Sequence, residues 1–208
     1  MNPQFFKYLY LIGMLGTYMV RVSGVMTAAK GAKKEDILTA KQKIQGEGVV
    51  ITIVMMLWFF SSQVLPIIYT VTRWFDFADI SRPAWLGFAG FAILIFGNWL
   101  LWKAHKDLGR HWSSTVQIKS DQTLVTQGIY RYLRHPIYTA HIVWGFAQAL
   151  MLPNWLAGWL SLPLIILVFV LRIPNEEQMM IEQFGDDYRR YMEKTGGLFP
   201  KIGKIRQL

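Results

Sequence analysis

Three short polar clusters interrupt an otherwise apolar chain, and each carries side chains able to grip a small charged ligand. The first runs from Gln117 to Tyr130 and includes Gln122-Thr123-Leu124-Val125. The second is Arg134-His135-Pro136-Ile137-Tyr138, and the third is Arg172-Ile173-Pro174-Asn175-Glu176-Glu177. An arginine fork suits a carboxylate, which it can hold through two parallel hydrogen bonds. A tyrosine offers a flat apolar wall with a polar tip, and a glutamate accepts from hydroxyl or ammonium donors. None of the clusters forms a hydrolytic or metal motif. The chain has no cysteine, which removes thiolate nucleophiles, disulfides and cysteine metal sites.

Singly, each element has a plainer reading. Arg134, His135 and Tyr138 could be membrane-edge anchors. Arg172 and Glu176, four apart, could be a helical ion pair worth about a few tenths of a kcal/mol. His141 reads as a hydrogen-bonded core residue or a lipid-edge group, with no role assigned.

The elements that would position these clusters are membrane helices. Of 208 residues, 53% are hydrophobic and 17% charged, and the apolar residues fall in long uncharged runs instead of amphipathic stripes. Gly48 to Thr72 and Pro83 to Trp102 are each near the 20 residues that cross a hydrocarbon core of about 30 Å. A third span, about Phe5 to Met26, is bounded by Lys7 and Arg21, which are expected to snorkel to the interfaces. Lys7, this apolar stretch and Thr27-Ala28-Ala29 imitate a cleavable signal peptide. Cleavage would export the lysine-rich loop that follows, against the positive-inside rule.

Pro136 to Leu171 contains no Asp, Glu, Lys or Arg. As one helix it would extend roughly 54 Å, so it must fold back. Leu152-Pro153-Asn154 is the expected turn, giving two arms shorter than an ideal span. Gly145, Ala147, Ala149, Ala157, Gly158 and Ser161 are available for close helix contact. Pro174 is expected to kink or restart the helix. Beyond it Met179, Met180, Phe184, Tyr188 and Tyr191 recur at helical spacing, which predicts a soluble amphipathic helix ended by Gly196-Gly197.

The fold class is therefore all-α, an integral membrane bundle of about five transmembrane helices, the last two a tight hairpin, plus a cytoplasmic amphipathic C-terminal helix. The whole of 1–208 reads as one domain, with three N-terminal spans in 1–102 and the polar clusters in 103–208. The net charge of +9 raises nucleic acid as a partner. However, Lys30, Lys33, Lys34, Lys41 and Lys43 fill one loop and the other basic residues concentrate in 103–134 and after Arg172. That alternation is the positive-inside pattern, so the charge reports topology and places the 103–135 segment and the tail in the cytoplasm. A hairpin joins its own ends, so the second and third clusters should meet despite about 37 intervening positions.

As an ordered set the clusters resemble the isoprenylcysteine carboxyl methyltransferase family. Leu124-Val125-Thr126-Gln127-Gly128-Ile129-Tyr130 followed by Arg134-His135-Pro136-Ile137-Tyr138 is similar to that family's cofactor motif. Arg172, Glu176-Glu177, Phe184-Gly185-Asp186-Asp187-Tyr188, Tyr191 and Leu198-Phe199-Pro200 are similar to its C-terminal signature. The resemblance covers about half the chain, from Lys103 onward. It implies S-adenosylmethionine as methyl donor and the free carboxylate of a prenylated cysteine, or a similar lipid-linked carboxylate, as acceptor. Carried over by position, it assigns cofactor contacts to Gln117, Gln122, Thr123, Leu124, Val125, Tyr130, His135, Pro136, Ile137, Tyr138 and Glu176. It assigns acceptor recognition to Arg172, with Arg172 and Glu176 the catalytic pair.

Ala140 stands where relatives often carry glycine, and the short five-span form looks like the prokaryotic branch. The implied partners are a lipophilic or lipidated substrate and membrane lipid, with no metal and no nucleic acid. Alternatives are a phospholipid or small-amine N-methyltransferase, a membrane sterol reductase with a related C-terminal region, and a non-enzymatic membrane scaffold.

Overall fold

The computed structural model describes residues 3–30, 48–109 and 123–201, and all regular elements among them are helical. Helix α1 is Pro3–Lys30. Helix α2 covers Val49–Val71 and contains a π-helical turn at Phe60–Val64. Helix α3 is Ala84–Leu108, two turns longer than the uncharged run predicts. Helix α4 is Pro136–Met151, α5 is Trp155–Phe184 and α6 is Asp186–Lys194. Helices α1, α2, α3 and α5 are long and apolar enough to cross a membrane. Helix α4, at 16 residues, spans only about 24 Å and is the short arm of the hairpin.

The outer faces confirm the solvent these helices are built for. Ile12, Met19, Val71 and Val170 are each more than 60% exposed, an apolar surface that belongs in lipid. Trp74, Phe77, Trp85 and Trp155 are also exposed, on the α2–α3 connection, the start of α3 and the hairpin turn. Rings that are apolar on one side and polar on the other collect at such a membrane interface. The molecule is an integral membrane protein.

The hairpin turns at Leu152-Pro153-Asn154. The Asn154 side-chain oxygen accepts from the Leu156 and Ala157 N–H groups at 3.0 and 2.9 Å, which starts α5 where two backbone donors would otherwise be orphaned. Its amide donates to Phe75 O and Asp79 Oδ1, tying the turn to the α2–α3 connection. The small residues act as expected. A Cβ on Gly158 would collide with the Leu152 carbonyl, and one on Gly145 would lie 3.1 Å from Leu162 Cδ1. Helix α4 packs chiefly against α3 and less against α5. Gly97 of α3 permits this, since a Cβ there would lie 3.3 Å from Val143 Cγ1.

Two π-helical turns, Phe60–Val64 and Trp155–Trp159, meet around one buried glutamine. Widened turns leave carbonyls without their usual partners, and Gln148 Nε2 donates to two of them, Ser61 O at 3.0 Å and Ala157 O at 2.7 Å. Its Oε1 accepts from Tyr10 Oη and Ser161 Oγ, both at 3.0 Å. Four elements thus share one fully satisfied amide. Gln148→Ala should lower the unfolding free energy in detergent by about 1–3 kcal/mol, read as a drop in the thermal midpoint, because it orphans buried groups on both partners.

Two expectations are corrected. Helix α5 does not restart at Pro174 but runs through it to Phe184, which makes the second arm 30 residues instead of a short one. The lost backbone bond is offset on both flanks, by Phe169 and Ile173 in the apolar core and by the carboxylates of Glu176 and Glu177. The break comes at Gly185, whose φ of 56° lies in the left-handed region that glycine tolerates, and the separate amphipathic helix is the short α6. Lys7 and Arg21 of α1 do not snorkel. Lys7 is buried and lies 3.5 Å above the Tyr69 ring, and Arg21 turns into the bundle.

Candidate functional site

The hairpin brings the second and third polar clusters into contact at one end. Pro136 opens α4 and the chain enters it from His135, so the side chains of His135 and Tyr138 project from its first turn. The His135 ring stacks on Tyr138 at 5.4 Å and Tyr138 stacks on Phe169 of α5 at 4.3 Å, a three-ring column across the hairpin. Tyr138 Oη donates to Glu176 Oε2 at 2.7 Å. Arg172 lies with its guanidinium carbon 5.9 Å from the Tyr138 ring centre. The neighbouring Glu177 accepts from Arg134 Nε at 2.8 Å and sits 3.0 Å from His135 Nε2.

Arg134 is more than an edge anchor, because it also donates to the carbonyls of Met192, in the last turn of α6, and Thr195, just after it. The tail then runs back over the second cluster. Arg134 N donates to Gly196 O at 2.8 Å and Thr139 Oγ1 to Leu198 O at 2.8 Å. Tyr191 Oη closes the strap by donating to Tyr130 O. The first cluster is fixed from α3: Asp107 Oδ2 accepts from Ile129 N at 2.7 Å. Gly128 (φ 60°) makes room for that carboxylate, since its Cβ would occupy the same space.

These contacts enclose a cavity of about 180 Å³, an order of magnitude more than the roughly 10–15 Å³ that one water needs. Thr123, Leu124, Val125, Tyr130, His135, Pro136, Ile137, Tyr138, Arg172 and Glu176 all line it. Gln117 and Gln122 lie outside the described residues. Burial pushes Tyr130 well up, and Tyr191, Glu176 and Asp107 push it the same way.

Over residues 89–182 the chain matches the model of the isoprenylcysteine carboxyl methyltransferase (ICMT) family. That match takes in 94 residues, a little under half of the chain. The chain is similar to the protein-S-isoprenylcysteine O-methyltransferase of Schizosaccharomyces pombe, 33% identical over 52% of this chain and 47% of that one. It is also similar to the Rattus norvegicus protein of the same name, 31% identical over 66% of this chain and 53% of that one. The chain thus spans about half the length of the curated relatives it matches. The solved structure of a eukaryotic intramembrane Ras methyltransferase, ICMT, superposes with a TM-score of 0.61 at 22% identity, covering 97% of this chain and 68% of that one. At that identity the likeness establishes a shared ICMT fold.

Several lining residues are given no site role by the sequence reading. Met55 and Trp58 come from α2, His141 and Phe169 from the hairpin, and Arg21 from α1. His141 is buried, with Nδ1 2.7 Å from Ile137 O and Nε2 3.2 Å from Arg21 Nη1. The available signal for Arg21 was its position in an apolar run, since an ionisable residue inside a span marks a functional site by default. Asp107 carried no comparable signal, because its partner is a backbone N–H 22 residues away.

Proposed function

We propose that this chain is a member of the isoprenylcysteine carboxyl methyltransferase family and transfers a methyl group from S-adenosylmethionine to the carboxylate of a prenylated cysteine or a similar lipid-linked acid. The observation that carries the reading is that Arg172, Glu176, Tyr138 and His135 share one cavity with the 123–125 segment. The donor set fits the proposed cofactor: a carboxylate for its ammonium or hydroxyl donors, flat aromatic walls, and backbone at the rim. When bound, S-adenosylmethionine supplies a methyl carbon on a positively charged sulfur. The acceptor's carboxylate oxygen forms the new C–O bond as the C–S bond breaks and its electron pair stays on sulfur.

An α-carboxylate has a reference pKa near 3.5, so it is already the nucleophile at neutral pH and needs no general base. The residues therefore orient the reactants and exclude water. Arg172 holds one carboxylate oxygen and leaves the other free to attack, since a grip on both would quench the nucleophile. Glu176, oriented by Tyr138, meets cationic or hydroxyl groups of the donor, and Thr123, Leu124, Val125, Pro136 and Ile137 frame it. Gln117 and Gln122 are carried with this set. We read 1–208 as one domain, because Arg21 from the first span faces the same cavity as Arg172 from the last. The cavity mouth faces the cytoplasm, where a soluble donor enters, while a prenyl tail enters from lipid past Met55 and Trp58 of α2.

The test compares acceptors under one donor. Purified protein should methylate N-acetyl-S-farnesyl-L-cysteine and leave its methyl ester, phosphatidylethanolamine and small lipophilic amines unmodified. Turnover of the amines with no ester formation would replace this reading by N-methylation.

A further inference from the structure

One arginine of the cavity has no part in the chemistry proposed so far. Arg21, Arg134 and Arg172 line the cavity, and among the described lining residues Glu176 is the only carboxylate. Arg134 is matched by Glu177 at 2.8 Å. Arg21 and Arg172 face the same space as Glu176, in surroundings whose walls include Met55, Trp58 and Phe169. An ionisable side chain inside a membrane span that faces a cavity marks a functional site, and a guanidinium there suits an anion.

The geometry at Arg21 says how it is held. His141 Nδ1 lies 2.7 Å from the Ile137 carbonyl, a pure acceptor, so this nitrogen carries the proton. The lone pair therefore sits on Nε2, 3.2 Å from Arg21 Nη1, and accepts from it. A second proton on the ring would set N–H against N–H. The ring is fixed from its other side by Trp58, edge-to-face at 5.5 Å. Arg21 is thus oriented by a neutral partner that leaves its positive charge unspent.

We propose that Arg21 is a second acceptor-binding residue, which with Arg172 makes the site selective for an acceptor carrying a carboxylate, and that His141 is the positioning residue for Arg21. The inference rests on the methyl-transfer reading for the identity of the acceptor. It adds a contact from α1, outside the residues 89–182 that match the family model. Arg21 takes the non-reacting side of the acceptor's acid group, so Arg172 need not grip both oxygens.

The experiment measures equilibrium binding of N-acetyl-S-farnesyl-L-cysteine and of its methyl ester to the full chain loaded with S-adenosylhomocysteine. Binding is read by tryptophan fluorescence. The wild type should bind the acid about tenfold or more tightly than the ester, as expected for a charge-assisted pair in an apolar site. Arg21→Met should bring the two affinities to within about threefold, with affinity for S-adenosylhomocysteine unchanged. Arg21→Lys should keep part of the preference. An acid-to-ester ratio equal to wild type in Arg21→Met, or no preference in the wild type, overturns the proposal.

Should Arg21→Met lose S-adenosylhomocysteine, Arg21→Lys decides: a weakened acid affinity supports the role and an unchanged one removes it. A wild type that prefers the acid but never methylates it would sink the methyl-transfer reading alone, and the arginine anchor would stand.

Discussion

Arg172→Ala is expected to lower kcat/KM for N-acetyl-S-farnesyl-L-cysteine by about 10²- to 10³-fold, the usual consequence of removing one preorganised charged contact from a dry reacting site. Arg172 is buried, with its guanidinium beside the Tyr138 ring and between α2 and the hairpin. The side chain is therefore fixed before any acceptor arrives. The loss should fall on kcat as well as KM, because the role proposed for the residue is orientation of the attacking oxygen. Arg172→Lys recovers only part, since a point charge cannot reproduce the planar fork. Steady-state kinetics with both variants checks this, and wild-type turnover in Arg172→Ala would remove the residue from the mechanism.

Glu177→Ala should cost stability before it costs chemistry. One carboxylate oxygen holds both Arg134 and His135, and Arg134 in turn holds the carbonyls that end α6. Removing the carboxylate leaves a mostly buried guanidinium without its counter-charge, at a cost of about 3–5 kcal/mol. The strap over residues 195–198 should loosen with it, since Gly196 and Leu198 dock on Arg134 N and Thr139. The expected readouts are a lowered thermal midpoint and faster proteolysis near residues 192–201, with S-adenosylhomocysteine binding weakened as a secondary effect. Glu177→Gln should retain more of the fold, because an amide oxygen still accepts from Arg134. An unchanged midpoint in Glu177→Ala would show that the pair does not hold the strap.

Much of the hairpin was legible because its signals are local. An uncharged run too long for one span, with Leu152-Pro153-Asn154 at its middle, admits few outcomes, and closure of the hairpin then sets Tyr138 beside Glu176. Pro174 misled because its local cost is outweighed by contacts on either side that come from α4 and from residues 40 or more positions away. The same holds for Arg21. Snorkelling is the default for an arginine in an apolar run, and only the folded position of His141, 120 residues later, turns it inward. The π-helical turns were beyond reach for a related reason, since what stabilises them is one distant glutamine amide. The residues proposed for the cofactor side come from an ordered motif, whereas Asp107, Met55 and Trp58 contribute through pairings the motif does not contain.

The most direct test is ultraviolet cross-linking of S-adenosylmethionine labelled in its methyl group, followed by mapping of the labelled peptides. Label should appear in peptides spanning 123–138 and 172–180 together, and an excess of S-adenosylhomocysteine should abolish it. Label confined to one of those segments or found only elsewhere in the chain would contradict a single nucleotide-sized site built by the two ends of the hairpin.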